Sequence, residues 1–239
     1  MMIKDAFSVL LLTLKDTWEE LYSLIIVNMA WFFAVVGLPV LLLSLGNVIV
    51  SIAAFVLFVL LFPATIPGIY VVGSIVAHGK TFHFSDFIGG VKKYWWRGLL
   101  WFLANLAVIA IIYVDIQFYP TFLQSIFGIM LGGMFIALFV FWAIMQMYFW
   151  PLLIEQDQPN LLRAWRNAAF LVLANPFYAF FTGVFSLIFL AISIGLGLIP
   201  LAFVGVVLQA VLASNAVLTL LVKFKLIEEV RPAPMTDGR

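Results

Sequence analysis

Val48–Val76, VIVSIAAFVLFVLLFPATIPGIYVVGSIV, runs without one charged side chain. A bilayer's hydrocarbon core is about 30 Å thick and takes about 20 helical residues to cross, so this run alone is long enough to span it. Comparable runs lie on both sides, at about 21–45 before it and about 98–118, 121–151, 168–194 and 200–222 after it. The expected fold is an all-α integral membrane protein, a bundle of about six transmembrane helices with short amphipathic interfacial helices on the cytoplasmic side. A single transmembrane domain then occupies the whole of 1–239.

Composition points the same way. Of 239 residues, 66% are hydrophobic and 10% charged, with mean hydropathy +1.20, where a soluble domain carries about 25% charged residues. That is too little polar surface to cover a water-soluble globule. A net charge of +1 gives no electrostatic reason to expect nucleic acid. Cysteine is absent, which removes disulfides, thiolate nucleophiles, iron–sulfur clusters and cysteine zinc sites together. The first apolar run, Ser8–Leu14, is short and is followed by Lys15, Asp16, Glu19 and Glu20. That pattern lacks a small-residue cleavage site and predicts a retained N-terminus.

The connections between runs carry the polar chemistry. In residues 4–20, Phe7, Leu10, Leu11, Leu14, Trp18 and Leu21 recur at helical spacing, with Asp5, Lys15, Asp16 and Glu19 opposite and Leu12 as a mismatch. This predicts an amphipathic helix on the membrane surface. Within the long run, Pro63 and Pro67 predict a kink or short break, because each removes a backbone donor. A second amphipathic helix is expected before Arg97, with Phe87, Ile88, Val91, Tyr94 and Trp95 on one face, Lys92, Lys93 and Arg97 on the other, and Ser85 as N-cap. An outer turn is expected at Tyr119-Pro120, a polar connection at 155–167 with Pro159 in a helix first turn, and a tight turn at Gly195–Pro200. The tail 223–239, with Arg231-Pro-Ala-Pro234, reads as exposed and loosely ordered.

With six spans and the N-terminus inside, every lysine and arginine falls on the inner side: Lys4, Lys15, Lys80, Lys92, Lys93, Arg97, Arg163, Arg166, Lys223, Lys225, Arg231 and Arg239. Because cytoplasmic connections are enriched in these residues, both termini are expected in the cytoplasm, in a cell membrane crossed several times. Only Asp115 marks the outer side. At an offset of 70 residues, Lys93-Tyr-Trp95 aligns with Arg163-Ala-Trp165 and Leu103-Ala-Asn105 with Leu173-Ala-Asn175, a candidate parallel repeat.

No catalytic, cofactor-binding or metal-binding residue emerges, and no cofactor is implied. His78 and His83 are spaced off one helical face, with Asp86 the only nearby carboxylate to complete a ligand set. There is neither a Gly-x-Ser-x-Gly turn nor a phosphate loop. Asp115 reads as a solvated interfacial residue, with a coupling site as the alternative. Asn28, Asn105, Gln146, Asn175, Gln209 and Asn215 lie inside apolar runs, where such groups mostly bond helix to helix, the alternative being a solute pathway. Gly128-x-x-x-Gly132 suits close packing within the bundle, with a homo-oligomer contact as the alternative. Trp18, Trp95, Trp96, Trp150 and Trp165 read as interfacial anchors. Lys92, Lys93 and Arg97 could attract anionic lipid besides setting topology.

Several short pieces together resemble a known family. These are Asn28 with Trp31 and Leu38-Pro39, Pro63-Ala-Thr65 with Tyr70, and Phe87–Lys93 leading into Leu99-Leu-Trp101. Further along come Trp150-Pro-Leu-Leu153, Arg166-Asn-Ala-Ala-Phe170 and Leu173-Ala-Asn175. They are similar to the YesL-like family of small bacterial membrane proteins, over about 6–222. In that family the Leu-Pro and Pro-Ala-Thr motifs lie close together, whereas here Val40–Phe62 intervenes. The resemblance implies a bacterial cytoplasmic membrane and a link to carbohydrate uptake, and supplies no catalytic residue. The expectation is a non-enzymatic accessory or interaction component contacting membrane lipids and a transport-system or signalling partner. The alternative is a small-solute transporter or channel, which a water-filled cavity reaching Thr65 and Asn105 or Asn175 would favour. A membrane-embedded enzyme would need His78, His83, Asp86 and Glu155 to converge.

Overall fold

The structure, a computed structural model, describes residues 2–228; the tail carrying Arg231-Pro-Ala-Pro234 lies outside the described residues. All regular structure in it is helical: α1 (Met2–Glu19), α2 (Leu21–Phe32), α3 (Leu38–Leu43), α4 (Val48–Ala77), α5 (Phe84–Leu123), α6 (Ile126–Ile154), α7 (Leu161–Ala174), α8 (Pro176–Gly195) and α9 (Val206–Lys223). Two π turns, Phe33–Gly37 and Leu201–Gly205, join α2 to α3 and lead into α9. Six segments are long and apolar enough to cross a membrane: Leu21–Leu43, α4, α5, α6, α8 and Leu201–Lys223. Their outer faces expose side chains such as Ile52, Phe55, Ile111, Ile129 and Ile188, which lipid covers and water would not. The chain is a multi-pass helical membrane protein.

Helix ends are set by local chemistry. Asn47 caps α4 by accepting from the Ile49 and Val50 amides, Ser125 caps α6 through the Gly128 amide, and Asn160 caps α7 through the Arg163 amide. At α5 the cap is His83 rather than the expected Ser85, because the Asp86 carboxylate reaches back 2.8 Å to the His83 amide. Pro159 likewise falls just ahead of the Asn160 cap, not in the first turn of α7. The tight turn expected at Gly195–Pro200 is present, with Gly197 and Leu198 in the left-handed region at φ 68° and 65°.

Other boundaries differ from expectation. The amphipathic segment before Arg97 and the third span form one uninterrupted helix, α5. Ahead of Arg97 its buried positions are Phe87, Gly90 and Tyr94, while Ile88 and Trp95 face outward. The outer turn falls at Gln124, the left-handed C-cap (φ 44°), rather than at Tyr119-Pro120. The fifth span starts at Pro176, not near residue 168. Asn175 leaves helical geometry (φ −137°, ψ 58°), and Pro176, with no amide hydrogen to lose, opens α8. The two candidate repeat units therefore differ in shape, since the segment holding Asn105 is straight through where that holding Asn175 breaks.

Neither Pro63 nor Pro67 interrupts α4, so of the kink or short break expected there the break is absent. Pro67 lacks the N–H that would bond the Pro63 carbonyl four residues earlier. That carbonyl instead faces Gly98 of α5, so closely that a Cβ there would fall onto the oxygen. Pro120 repeats the device. It frees the Ile116 carbonyl, and Gly132 of α6 packs against Pro120 and that oxygen, while Gly128 lies on the Tyr119 carbonyl. The Gly-x-x-x-Gly face is thus filled by α5 of the same chain.

The central helix is α9. Its span is 61% buried, against 11% for α5 and α6, and its small residues Ala210, Ala213, Ser214 and Ala216 admit close neighbours. Gly73 of α4 meets the Ala210 backbone directly. One hydrophobic cluster joins α2, α4, α5, α6 and α9 through Leu24, Trp31, Ile69, Tyr94, Phe149 and Val211. A second joins α1, α6, α7, α8 and α9 through Val9, Tyr148, Leu171, Tyr178 and Val217.

Asn28 of α2 holds the entry to α9. Its Nδ2 donates to the Leu201 and Ala202 carbonyls at 2.9 and 2.8 Å, and its Oδ1 accepts from the Val207 amide at 2.9 Å. These backbone groups lie at the π turn, where the regular ladder is displaced. Asn28→Ala is expected to lower unfolding free energy by about 2–4 kcal/mol, since it strands three backbone groups, measured by denaturation in mixed micelles. Gly98→Ala should cost at least about 3 kcal/mol because the opposing atom is backbone and has nowhere to go. Gly89→Ala on the same helix, where an added Cβ meets nothing, should be neutral or raise the melting temperature.

Candidate functional site

A cavity of about 320 Å³ opens among α4, α5, α6, α8 and the segment entering α9. Its wall is aromatic: Tyr70 stacks with Trp150 at 6.2 Å between centroids, and Trp101 tilts against Trp150 at 5.6 Å. Polar groups enter as bonded pairs. Trp101 Nε1 donates to Gln146 Oε1 at 2.9 Å, Ser186 Oγ meets Gln209 Oε1, and Gln209 Nε2 donates to the Ser186 carbonyl at 3.1 Å. Leu187, Leu190 and Leu201 complete the rim. Trp150 is 1% exposed and its Nε1 finds no partner among the described residues, so it is a core residue and not the interfacial anchor expected.

The other intramembrane polar groups are engaged elsewhere. Thr65 Oγ1 accepts from Trp31 Nε1 at 2.8 Å and donates to the Leu61 carbonyl. Asn105 accepts from Trp142 Nε1 at 2.9 Å and donates to the Trp101 carbonyl. Asn175 sits at the junction of α7 and α8, 2% exposed. None of the three borders the aromatic cavity.

At the end of the bundle where α4 and α6 finish, Ser74 Oγ donates to Glu155 Oε1 at 2.8 Å, and His78 Nε2 lies 3.6 Å from Glu155 Oε2. His78 and Glu155 thus meet, while His83 and Asp86 are used in the cap of α5. The imidazole touches the Ser74 carbonyl through Nδ1 and not its hydroxyl. The three side chains join the end of α4 to the end of α6. Among the described residues, no three His, Asp or Glu side chains converge as a metal ion would require.

The sequence pattern placed Asp16 on the polar outer face of α1, but the structure buries it to 3% exposure. The face of α1 turned into the bundle is Ala6, Val9, Thr13, Asp16 and Thr17, and the apolar stripe Phe7, Leu11, Leu14 and Trp18 is turned outward. Asn215 Nδ2 of α9 donates to Asp16 Oδ2 at 2.9 Å and to Thr13 Oγ1 at 3.2 Å. Lys223 Nζ meets Asp5 Oδ2 at 3.3 Å, so α1 runs antiparallel along the second half of α9. The signal was legible in the small and polar residues at positions 6, 9, 13 and 16–17, which recur at helical spacing as well as the leucines do.

No family model, curated protein or solved structure matches the chain. Asn215→Leu removes the donor facing a buried carboxylate and is expected to cost about 2–4 kcal/mol, read from thermal unfolding in detergent.

Proposed function

We propose that the protein is a non-enzymatic component of a bacterial cytoplasmic membrane, an accessory that works by holding a partner protein or lipid. The observation that carries this reading is the use of its buried polar side chains. Asn28, Thr65, Asn105 and Asn215 are all engaged in bonds within and between helices instead of lining a route across the bundle. Orientation follows from charge: Lys80, Lys92, Lys93, Arg97, Arg163, Arg166 and Lys223 gather where α4, α6 and α9 end, which supports a cytoplasmic location for that end and both termini. A link to carbohydrate uptake rests on the resemblance to the YesL-like family alone.

A second reading, a small-solute transporter, draws on Gln146 and Gln209, whose amides border the aromatic cavity. One experiment separates the two. The tagged protein is purified from its native membrane in mild detergent, and what stays bound is identified by mass spectrometry. The accessory reading expects a transporter or signalling protein in stoichiometric amount. Recovery of the protein alone, with solute flux in liposomes that Gln146→Leu or Gln209→Leu abolishes, would replace it with the transporter reading.

A further inference from the structure

Two stretches distant in sequence bring three arginines to two adjoining hollows on the basic end of the bundle. A hollow of about 370 Å³ lies between the Trp96–Leu100 turn of α5 and the first turn of α7, with Arg97 and Asn160 on its wall. A second hollow of about 320 Å³ adjoins it across Asn160 and Leu162 and is lined by Arg163 and Arg166. Arg97 donates to the Lys93 carbonyl at 3.3 Å and rests 5.8 Å from the centre of the Tyr94 ring. Glu155 and Asp157 border the far side of Arg163. Among the described residues, neither they nor any other carboxylate forms an ion pair with the three guanidinium groups. Asn160 is already occupied as the cap of α7.

The surroundings say what class of anion would fit. On α7, Arg166 stands in an outward stripe with Leu162, Phe170 and Leu173, which are 76%, 63% and 67% exposed. On α5 a second stripe, Trp96, Leu100 and Leu103, leads from the hollow up the outer face of the span. A guanidinium set among exposed apolar side chains at the foot of a span can keep its stem in hydrocarbon and its head at the level of phosphates. A water-soluble phosphate would use the arginines and leave both stripes bare. A phospholipid would use both.

We propose that the cleft between α5 and α7 is a binding site for an anionic phospholipid. Arg97, Arg163 and Arg166 hold the headgroup phosphate, and the acyl chains lie along Trp96, Leu100 and Leu103. The proposal goes beyond the accessory reading and stands whether or not a protein partner exists.

The test is native mass spectrometry of the full-length protein extracted from vesicles of equal phosphatidylglycerol and phosphatidylcholine. The wild-type protein should retain phosphatidylglycerol in clear excess over its share of the vesicle, a readout that needs no substitution. R97Q/R163Q/R166Q should lose that excess, with affinity falling at least about tenfold, since each basic residue near a membrane surface contributes about fivefold. K4Q/K15Q, which removes charge from α1, should leave it unchanged, and inorganic phosphate should not displace the lipid. Equal retention of the two lipids by the wild-type protein overturns the proposal. So does an equal loss in K4Q/K15Q, which would mark diffuse attraction, or displacement by inorganic phosphate, which would mark an anion site without a lipid.

Discussion

Hydrocarbon offers the polypeptide no hydrogen-bond partner, so every backbone group that leaves the helical ladder must be met by protein. This constraint organises the bundle around three irregularities. At the π turn entering α9, the Asn28 carboxamide supplies three bonds from a neighbouring helix. At Pro67 and Pro120, the freed carbonyls of Pro63 and Ile116 are covered by Gly98 and Gly132, whose missing side chains let the next helix backbone close over them. The prolines therefore leave α4 and α5 unbroken, because the device that shields each carbonyl also fixes the distance to the next helix. Local irregularity and tertiary packing are one feature here.

Much of the architecture was legible because hydropathy is a sum over many residues, which few individual side chains can disturb. Six spans follow from it, and the Gly195–Pro200 turn follows from its glycines and proline. The parts that were not legible each turn on one residue answering a partner elsewhere. Pro120 reads as a turn until Gly132 is opposite it, and Asn175 reads as a mid-span polar group until its backbone is seen to break the helix before Pro176. Asp16 is the sharpest case. Viewed as a lone helix, α1 has one apolar face and one charged face. Against α9, the inward face is the one with small and polar residues, and the large apolar ones, Phe7, Leu11, Leu14 and Trp18, face away from the bundle.

The candidate site was legible in composition and obscure in position. Gln146 and Gln209 stood out as polar residues in apolar runs, and both border the aromatic cavity; Asn105 and Asn175 stood out equally and do not. Both Gln146 and Asn105 accept from a tryptophan indole, and nothing in a single sequence says which of the two amides also faces a cavity, since both occupy the same kind of helical position. Trp150 was hidden for a related reason. Tryptophan near a span end is ordinarily an interfacial ring, and only the rings of Tyr70 and Trp101 packed against it place it in the core.

The polar chemistry is distributed unevenly along the bundle axis. The clasp of Ser74, His78 and Glu155, the Asp5–Lys223 pair and the three arginines of the α5–α7 cleft all lie at one end. At the opposite end the connections are the short turns around Gly46, Gln124 and Gly197. Hydrocarbon-facing leucines discriminate poorly among partners, because lipid competes for them on nearly equal terms. The basic end has charges to match, hollows to fill and an amphipathic helix, α7, held by its cap at Asn160 and its break at Asn175. On the proposed accessory reading, that end is where a partner or lipid is recognised.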